Sequence, residues 1–308
     1  MNYLEYLIDK FPVRKKSEQK DAFLAYVQSE AEKLGYQAKI EALGDKKQHR
    51  NCVIGNPKTA QVVFTAHYDT PANMLLPNLM IPRNFPVFLA YQILVVCLLL
   101  IPAFAAMWLG SLIAPNTALP MLMYLAVYFA LLMLIMRGPA NKHNANDNTS
   151  GVAAVLSLMA SLPEEQREKA AFILFDNEEK GKLGSKAYAK EHQEVATLKL
   201  FVNMDCVGNG DSILILPRRG ALINPAYEKM APAFREIGMK HAVFCSPFGS
   251  VCNSDHKSFD CGVAVLACSK APVIGYYAGK IHTKNDTVAD PANIAFLAEN
   301  LTSFVEAL

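Results

Sequence analysis

From Asn84 to Met136 the chain contains no Asp, Glu, Lys, Arg or His, and between Asp69 and Arg137 its only charged side chain is Arg83. Soluble domains seldom avoid charge for so long. Two apolar runs occupy the stretch, at 85–109 and 119–136, joined by the uncharged link "GSLIAPNTA". A helix needs about 20 apolar residues to cross a bilayer. The first run reaches that length even with Pro102, which a membrane helix tolerates, and the second lies near the lower limit. Trp108, Tyr124 and Tyr128 are available as interfacial anchors. The spacing predicts a helical hairpin that spans or enters a membrane. A hydrophobic lid and a buried oligomer interface are the other readings of the same pattern.

The rest of the 308-residue chain has ordinary soluble composition. "AQVVFTAHYD", "KAAFILFDNEE", "LKLFVNMDCVG", "DSILILP" and "VAVLACS" are apolar runs of strand length. "AKIEAL" and "NCVIG" alternate like strands. Helical patterns lie between them: 17–35 with Ser17 as N-cap and Gly35 at its end, "SGVAAVLSLMASLP", "KLGSKAYAKEH", "NPAYEKMAPAFREIG", and "PANIAFLAENLTSFVEAL" with Pro in its first turn. Strands alternating with helices predict an α/β fold, an α/β/α sandwich around a mixed, mostly parallel sheet. The expected division is a discontinuous body, 1–70 and 144–308, carrying an insert at 71–143.

The formal net charge of +2 offers no electrostatic case for a nucleic-acid partner. Seven cysteines, an odd number without a CxxC pair, predict free thiols in a reducing compartment. The N-terminal stretch lacks the apolar run and cleavage site of a signal peptide. Its Leu4, Leu7, Ile8 and Phe11 fit an amphipathic helix.

Open α/β sheets place their sites at the carboxyl ends of strands, and here those ends are polar. The first long strand ends in His67 and Asp69, the second in Asp176, Glu178 and Glu179, and the third in Asp205. Asp147 precedes a helix, and "GKIHTKNDT" carries His282 and Asp286. Imidazole and carboxylate are good zinc ligands. A carboxylate at a helix start can bridge two metals, and one that binds neither can take a proton from water. Singly, each signal has a bland reading as a cap, a turn or a structural histidine. Five separate segments with the right residue types in one α/β pattern are far more specific.

In order, "TAHYDT", "DNTSGVA", "FDNEEKGKLGS", "NMDCVG", "SDHKSF" and "IHTKNDT" resemble the co-catalytic zinc aminopeptidase family, which includes leucyl aminopeptidases, glutamate carboxypeptidase II and glutaminyl cyclases. The likeness covers nearly the whole chain except the insert. It implies a zinc-exopeptidase fold (phosphorylase/hydrolase-like) and two Zn²⁺ held by His67, Asp147, Glu179, Asp205 and His282, with Asp147 bridging. Mn²⁺ and Co²⁺ suit such carboxylate-rich sites as well. It implies that Asp69 orients His67 and that Glu178 is the general base. Asp255 and His256 would line the substrate side, Asp286 would brace its own loop, and Asp176 would be structural. The implied reaction is removal of N-terminal residues from a peptide substrate. A water shared by the two metals would give its proton to Glu178. A glutaminyl-cyclase-like acyltransferase and a non-catalytic scaffold are rivals within the fold; retention of every ligand position argues against both. A channel or transporter would need polar groups in the apolar runs, which offer few. Arg83, Arg137 and Lys142 flank the hairpin on the domain side, so the positive-inside rule predicts a membrane-associated enzyme with its catalytic domain in the cytoplasm. Oligomerisation is left open.

Overall fold

Alternation along the strands explains how one sheet carries helices on both faces. Val62 and Phe64 of one strand join a core that includes Phe23, Val155, Leu301 and Phe304, whereas Val63 between them joins a core that includes Phe201, Tyr188, Val195 and Phe259. Successive strand side chains point to opposite faces, so a continuous apolar run implies two covered faces.

The computed structural model describes residues 2–74 and 78–308, apart from the side chains of 135–137. Its sheet is built from β1 (Ala38–Leu43), β2 (His49–Ile54), β3 (Val62–His67), β4 (Ala170–Phe175), β5 (Leu200–Met204), β6 (Ser212–Pro217), β7 (His241–Phe244), β8 (Gly262–Ala271) and β9 (Gly275–Tyr277). The strand order is β1-β2-β4-β3-β5-β8-β6-β7, with β9 paired to β8. The central run β4-β3-β5-β8 is parallel, with His67 opposite Phe175 and Phe64 opposite Val202. Antiparallel pairs flank it: β1 with β2, β2 with β4, and β6 with β8.

The helices are α1 (Tyr3–Lys10), α2 (Ser17–Lys33), α3 (Phe85–Ile113), α4 (Leu119–Arg137), α5 (Gly151–Ser161), α6 (Leu183–Glu191), α7 (Gln193–Leu198), α8 (Pro225–Glu228), α9 (Met230–Ala233) and α10 (Pro291–Ala307). Residues of α1, α2, α5 and α10 cover one face of the sheet, and α6 and α7 cover the other. This is the α/β/α sandwich expected from the sequence.

Two local expectations need correcting, and two strands were not anticipated. Lys16, not Ser17, occupies the cap position of α2, where Gln19 Oε1 accepts the Lys16 N–H at 2.9 Å. The single helix expected over "NPAYEKMAPAFREIG" is two short turns, α8 and α9. Pro232 explains the break: its ring clashes with the carbonyl four residues back, and it has no N–H to donate. The edge strand β7 and the short β9 had no sequence signal, being brief and half-buried.

The insert sits in the crossover between β3 and β4, at the carboxyl end of β3. Its two legs meet at a short bridge, Ala72 opposite Ala140. Asn73 donates from its backbone to Pro139 O (2.8 Å), and Asn141 to Pro71 O (3.1 Å). Beyond the bridge, α3 runs for 29 residues, about 43 Å at 1.5 Å per residue. It is the one helix among the described residues long and apolar enough to cross a membrane by length and composition. Ala103, Ala106 and Gly110 form its buried seam. A Cβ on Gly110 would lie 2.9 Å from Pro120 Cα, so α3 and α4 approach closely there, as small residues permit. The outer surface of the hairpin is apolar and open: Trp108 is 61% exposed and Leu122 60%.

Arg83 at the hairpin root donates to Ser246 O (2.8 Å) and Phe248 O (2.7 Å), and Lys15 Nζ donates to Gly138 O (2.9 Å). Lys142 is exposed; the Arg137 side chain lies outside the described residues. All seven cysteines are free.

Candidate active site

Because β4, β3 and β5 are adjacent and parallel, their carboxyl ends emerge side by side, about 4.8 Å apart. His67 ends β3, and Asp69 follows two residues on. Beyond β4, Asn177 takes a left-handed conformation (φ 56°), and Glu178–Lys180 form one tight 3₁₀ turn. That turn lets two adjacent glutamates face one centre, which a continuing strand would forbid. Asp205 follows β5. Asp147 arrives from the segment ahead of α5, and His282, also left-handed (φ 60°), from the loop before α10.

These side chains converge. His67 Nε2 lies 3.4 Å from Asp147 Oδ1 and 3.6 Å from Asp205 Oδ1. His282 Nε2 lies 2.9 Å from Asp147 Oδ2 and 3.4 Å from Glu179 Oε2. The two oxygens of Asp147 are therefore divided between two histidines. Two donor groups result, His67–Asp147–Asp205 and Asp147–Glu179–His282, each with ligand atoms within 4.8 Å of one another; Glu178 forms a third such group with His67 and Glu179. A cavity of about 260 Å³ lies over them.

The electrostatics are those of carboxylates crowded away from water. Burial raises the pKa of Glu178 well above the carboxylate range, and Asp255, Glu179 and Asp205 add to the rise. Burial also pushes Glu179 up to about 8, against the opposing pull of His282. For Asp147 burial acts upward too, but hydrogen bonds from His282 and His67 prevail and hold it low. Burial disfavours a charged His282, yet Glu179 and Asp147 raise it to about 9. His67 is likewise raised, by Asp147, Asp205 and Asp69. Glu179 Oε1 is buried without a hydrogen-bond partner among the described residues. Oxygen and imidazole donors sharing protons, with one carboxylate oxygen unpaired, fit a divalent cation, which binds such groups deprotonated.

Several supporting contacts were not visible in the sequence. His67 Nδ1 meets the backbone oxygen of Asp69 at 3.2 Å, while the Asp69 carboxylate is 3.7 Å away. That carboxylate instead accepts the N–H groups of Glu178 (2.9 Å) and Glu179 (3.3 Å). Asp286 was expected to brace its own loop; its two oxygens accept the N–H groups of Asn146 and Asp147, both at 3.0 Å. Asn148 Nδ2 donates to Met204 O, and its Oδ1 accepts from Gly151 and Cys206. The only sequence signal for this bracing is the density of small polar residues in "NANDNTS", unusual beside an apolar helix. Buried Arg14 donates to Tyr68 O, Phe11 O and Thr149 Oγ1, tying the loops after β3 and before α5. Asp176 pairs with Lys20 and accepts the Arg50 N–H at 3.1 Å. Asp255 and His256, expected on the substrate side, are both buried and line neither of the cavities that touch the cluster. Asp255 accepts from Ser185 Oγ at 2.5 Å.

The sequence signature of Peptidase family M28 matches residues 132–305, more than half of the chain. The chain belongs to peptidase family M28. The M28 match takes in Asp147, Glu178, Glu179, Asp205 and His282; His67 and Asp69 lie ahead of it, across the insert. A search of curated protein sequences returns no match. Among solved structures the M28 chain is similar to a Zn-dependent exopeptidase from Parabacteroides distasonis, at 16% identity and TM-score 0.58, covering 99% of this chain and 96% of that one. It is also similar to a leucine aminopeptidase precursor from Bacteroides thetaiotaomicron, at 14% identity and TM-score 0.57, covering 98% and 94%. A glutaminyl cyclase from the same organism matches at 15% identity and TM-score 0.58, covering 98% and 94%. At these identities the likeness is one of fold. Membership of M28 makes the chain a peptidase-type hydrolase.

Proposed function

We propose that this M28 protein is a zinc-dependent aminopeptidase with two metal positions, held at a membrane by its hairpin. The observation that carries the reading is the division of Asp147 between His67 and His282, each with its own further carboxylate, Asp205 and Glu179. Such a pair of overlapping donor sets suits two ions sharing one carboxylate. Zinc bound there supplies Lewis acidity to the scissile carbonyl and acidifies water.

The protein's own groups do the rest. Glu178 takes the proton of the attacking water and passes it to the leaving amine, a role matched by the upward shift that burial gives its carboxyl. Asp69 holds the Glu178 backbone in place, and its carbonyl oxygen orients the His67 ring. Asp147, Asp205 and Glu179 hold metal together with the two histidines. The catalytic body comprises 1–70 and 144–308, and 71–143 is the insert. Arg83 and Lys142 at the root favour a cytoplasmic body, consistent with seven free thiols.

The test is hydrolysis of aminoacyl p-nitroanilides by detergent-solubilised full chain, with metal content measured alongside. Zinc-dependent release is expected, and Glu178→Ala should abolish turnover while the protein retains its zinc. Retained activity in Glu178→Ala removes it as the base. Cyclisation of a glutaminyl peptide without nitroanilide release would replace the peptidase reading by a cyclase.

A further inference from the structure

The insert is sewn onto the loop that carries His282 before it departs. Met74 N–H donates to His282 O (2.6 Å) and Asn78 N–H to Ile281 O (3.2 Å), while Met80 and Ala278 exchange both of their backbone bonds (2.9 and 3.0 Å). Pro82 O then accepts from Val251 N–H at 3.1 Å. The leg thus lies between the His282 loop and the 251–253 segment, and α3 starts directly beyond it.

A second cavity, of about 230 Å³, lies where leg, helix and segment meet. Leu79, Met80, Ile81 and Phe88 wall it from the insert, and Val251 and Cys252 face them from the body. Among the described residues no charged side chain lines it; Gln92 and two asparagines are its polar groups. Those asparagines, Asn78 and Asn253, and Met80 also line the cavity over the acidic cluster, so the two spaces adjoin.

We propose that the root of the hairpin forms the wall of a side-chain pocket, and that Leu79, Met80, Ile81 and Phe88 select substrates whose N-terminal residue is a large aliphatic or aromatic one. This rests on the aminopeptidase reading above. Desolvating such a side chain among apolar walls is favourable, and Met80 adapts to irregular shapes. A lysine or glutamate side chain would lose its hydration there without a charged partner. Because Phe88 lies in the first turn of α3, the segment that meets the membrane is the same one that reads the substrate.

The experiment uses the full chain in lipid nanodiscs with zinc, and a panel of Leu-, Phe-, Ala-, Lys- and Glu-p-nitroanilides. Leu and Phe should exceed Ala in kcat/KM by at least tenfold, and Lys and Glu by more. Leu79→Trp, which narrows the pocket, should lower the Leu/Ala ratio at least tenfold. Phe88→Ala, which widens it, should raise the Phe/Leu ratio. Unchanged ratios in both folded variants overturn the proposal while leaving the peptidase reading intact. Independently of turnover, photo-leucine amide bound to Glu178→Ala protein should crosslink within 79–92. If no substrate is hydrolysed, the peptidase reading fails, and the crosslink alone decides the pocket: labelling within 79–92 upholds an apolar ligand site there, and labelling elsewhere or none overturns it.

Discussion

The carboxylate of Asp69 accepts the backbone N–H of Glu178 at 2.9 Å, and this bond joins the loop after β3 to the loop after β4. The same carboxylate reaches the N–H of Glu179 at 3.3 Å. One buried side chain therefore sets the position of the proposed base and of a proposed metal ligand. Asp69→Ala removes both acceptors. We expect kcat to fall about 10- to 100-fold with a smaller change in KM, and zinc affinity to weaken. Steady-state kinetics with metal titration checks this.

The Arg14 guanidinium satisfies backbone and hydroxyl oxygens from three segments, Tyr68 O, Phe11 O and Thr149 Oγ1. Arg14→Met leaves those buried acceptors without donors. A loss of about 3 kcal/mol is expected, measured by denaturant unfolding, with an accompanying fall in activity as the loops after β3 and before α5 separate.

His256 is 4% exposed, and its pKa is pushed down to about 3 by burial and by Lys257. In the unfolded chain it titrates near 6.5. Below that pH the unfolded state binds a proton that the folded state refuses, so stability is full above about 6.5 and declines as the pH falls toward 3. The decline contributed by this one group is at most about 1.4 kcal/mol per pH unit. Stability curves for wild type and His256→Gln between pH 7 and 4 should differ by that slope; parallel curves refute the assignment.

Chelation should destabilise the body. Without a cation, Asp147, Asp205 and Glu179 remain crowded together, with His67 and His282 as their close imidazole partners. Zinc at a hundredfold its dissociation constant adds about 2.7 kcal/mol to folding. Scanning calorimetry with EDTA, and again after zinc is restored, should show a reversible fall in Tm.

The hairpin predicts a location. Protein expressed in cells should sediment with membranes and resist alkaline carbonate, and a variant lacking 84–137 should not. Quantitative recovery of the intact chain in the soluble fraction refutes membrane insertion.

Much of the fold was legible because it depends on periodicity. Apolar runs such as "AQVVFTAH" and "KAAFILF" must be covered on both sides, and the polar residues that stop them must lie at one edge of a parallel sheet. His67, Glu178, Glu179 and Asp205 could be picked out on that ground, and the charge-free stretch marked the hairpin. What the sequence could not carry is geometry that depends on more than one segment. The break at Pro232, the roles of Asp69 and Asp286 as acceptors of other loops' N–H groups, and the burial of Arg14 and of Asp255 all depend on which loops pack together. Local pattern names the residue types at a strand's end. Only the tertiary structure decides which backbone groups they satisfy, because a buried donor or acceptor takes the partner that folding brings within about 3 Å of it. The same holds for the insert: its composition marks it as apolar, but its attachment along the His282 loop, and so its reach to the rim of the site, is a property of the folded chain.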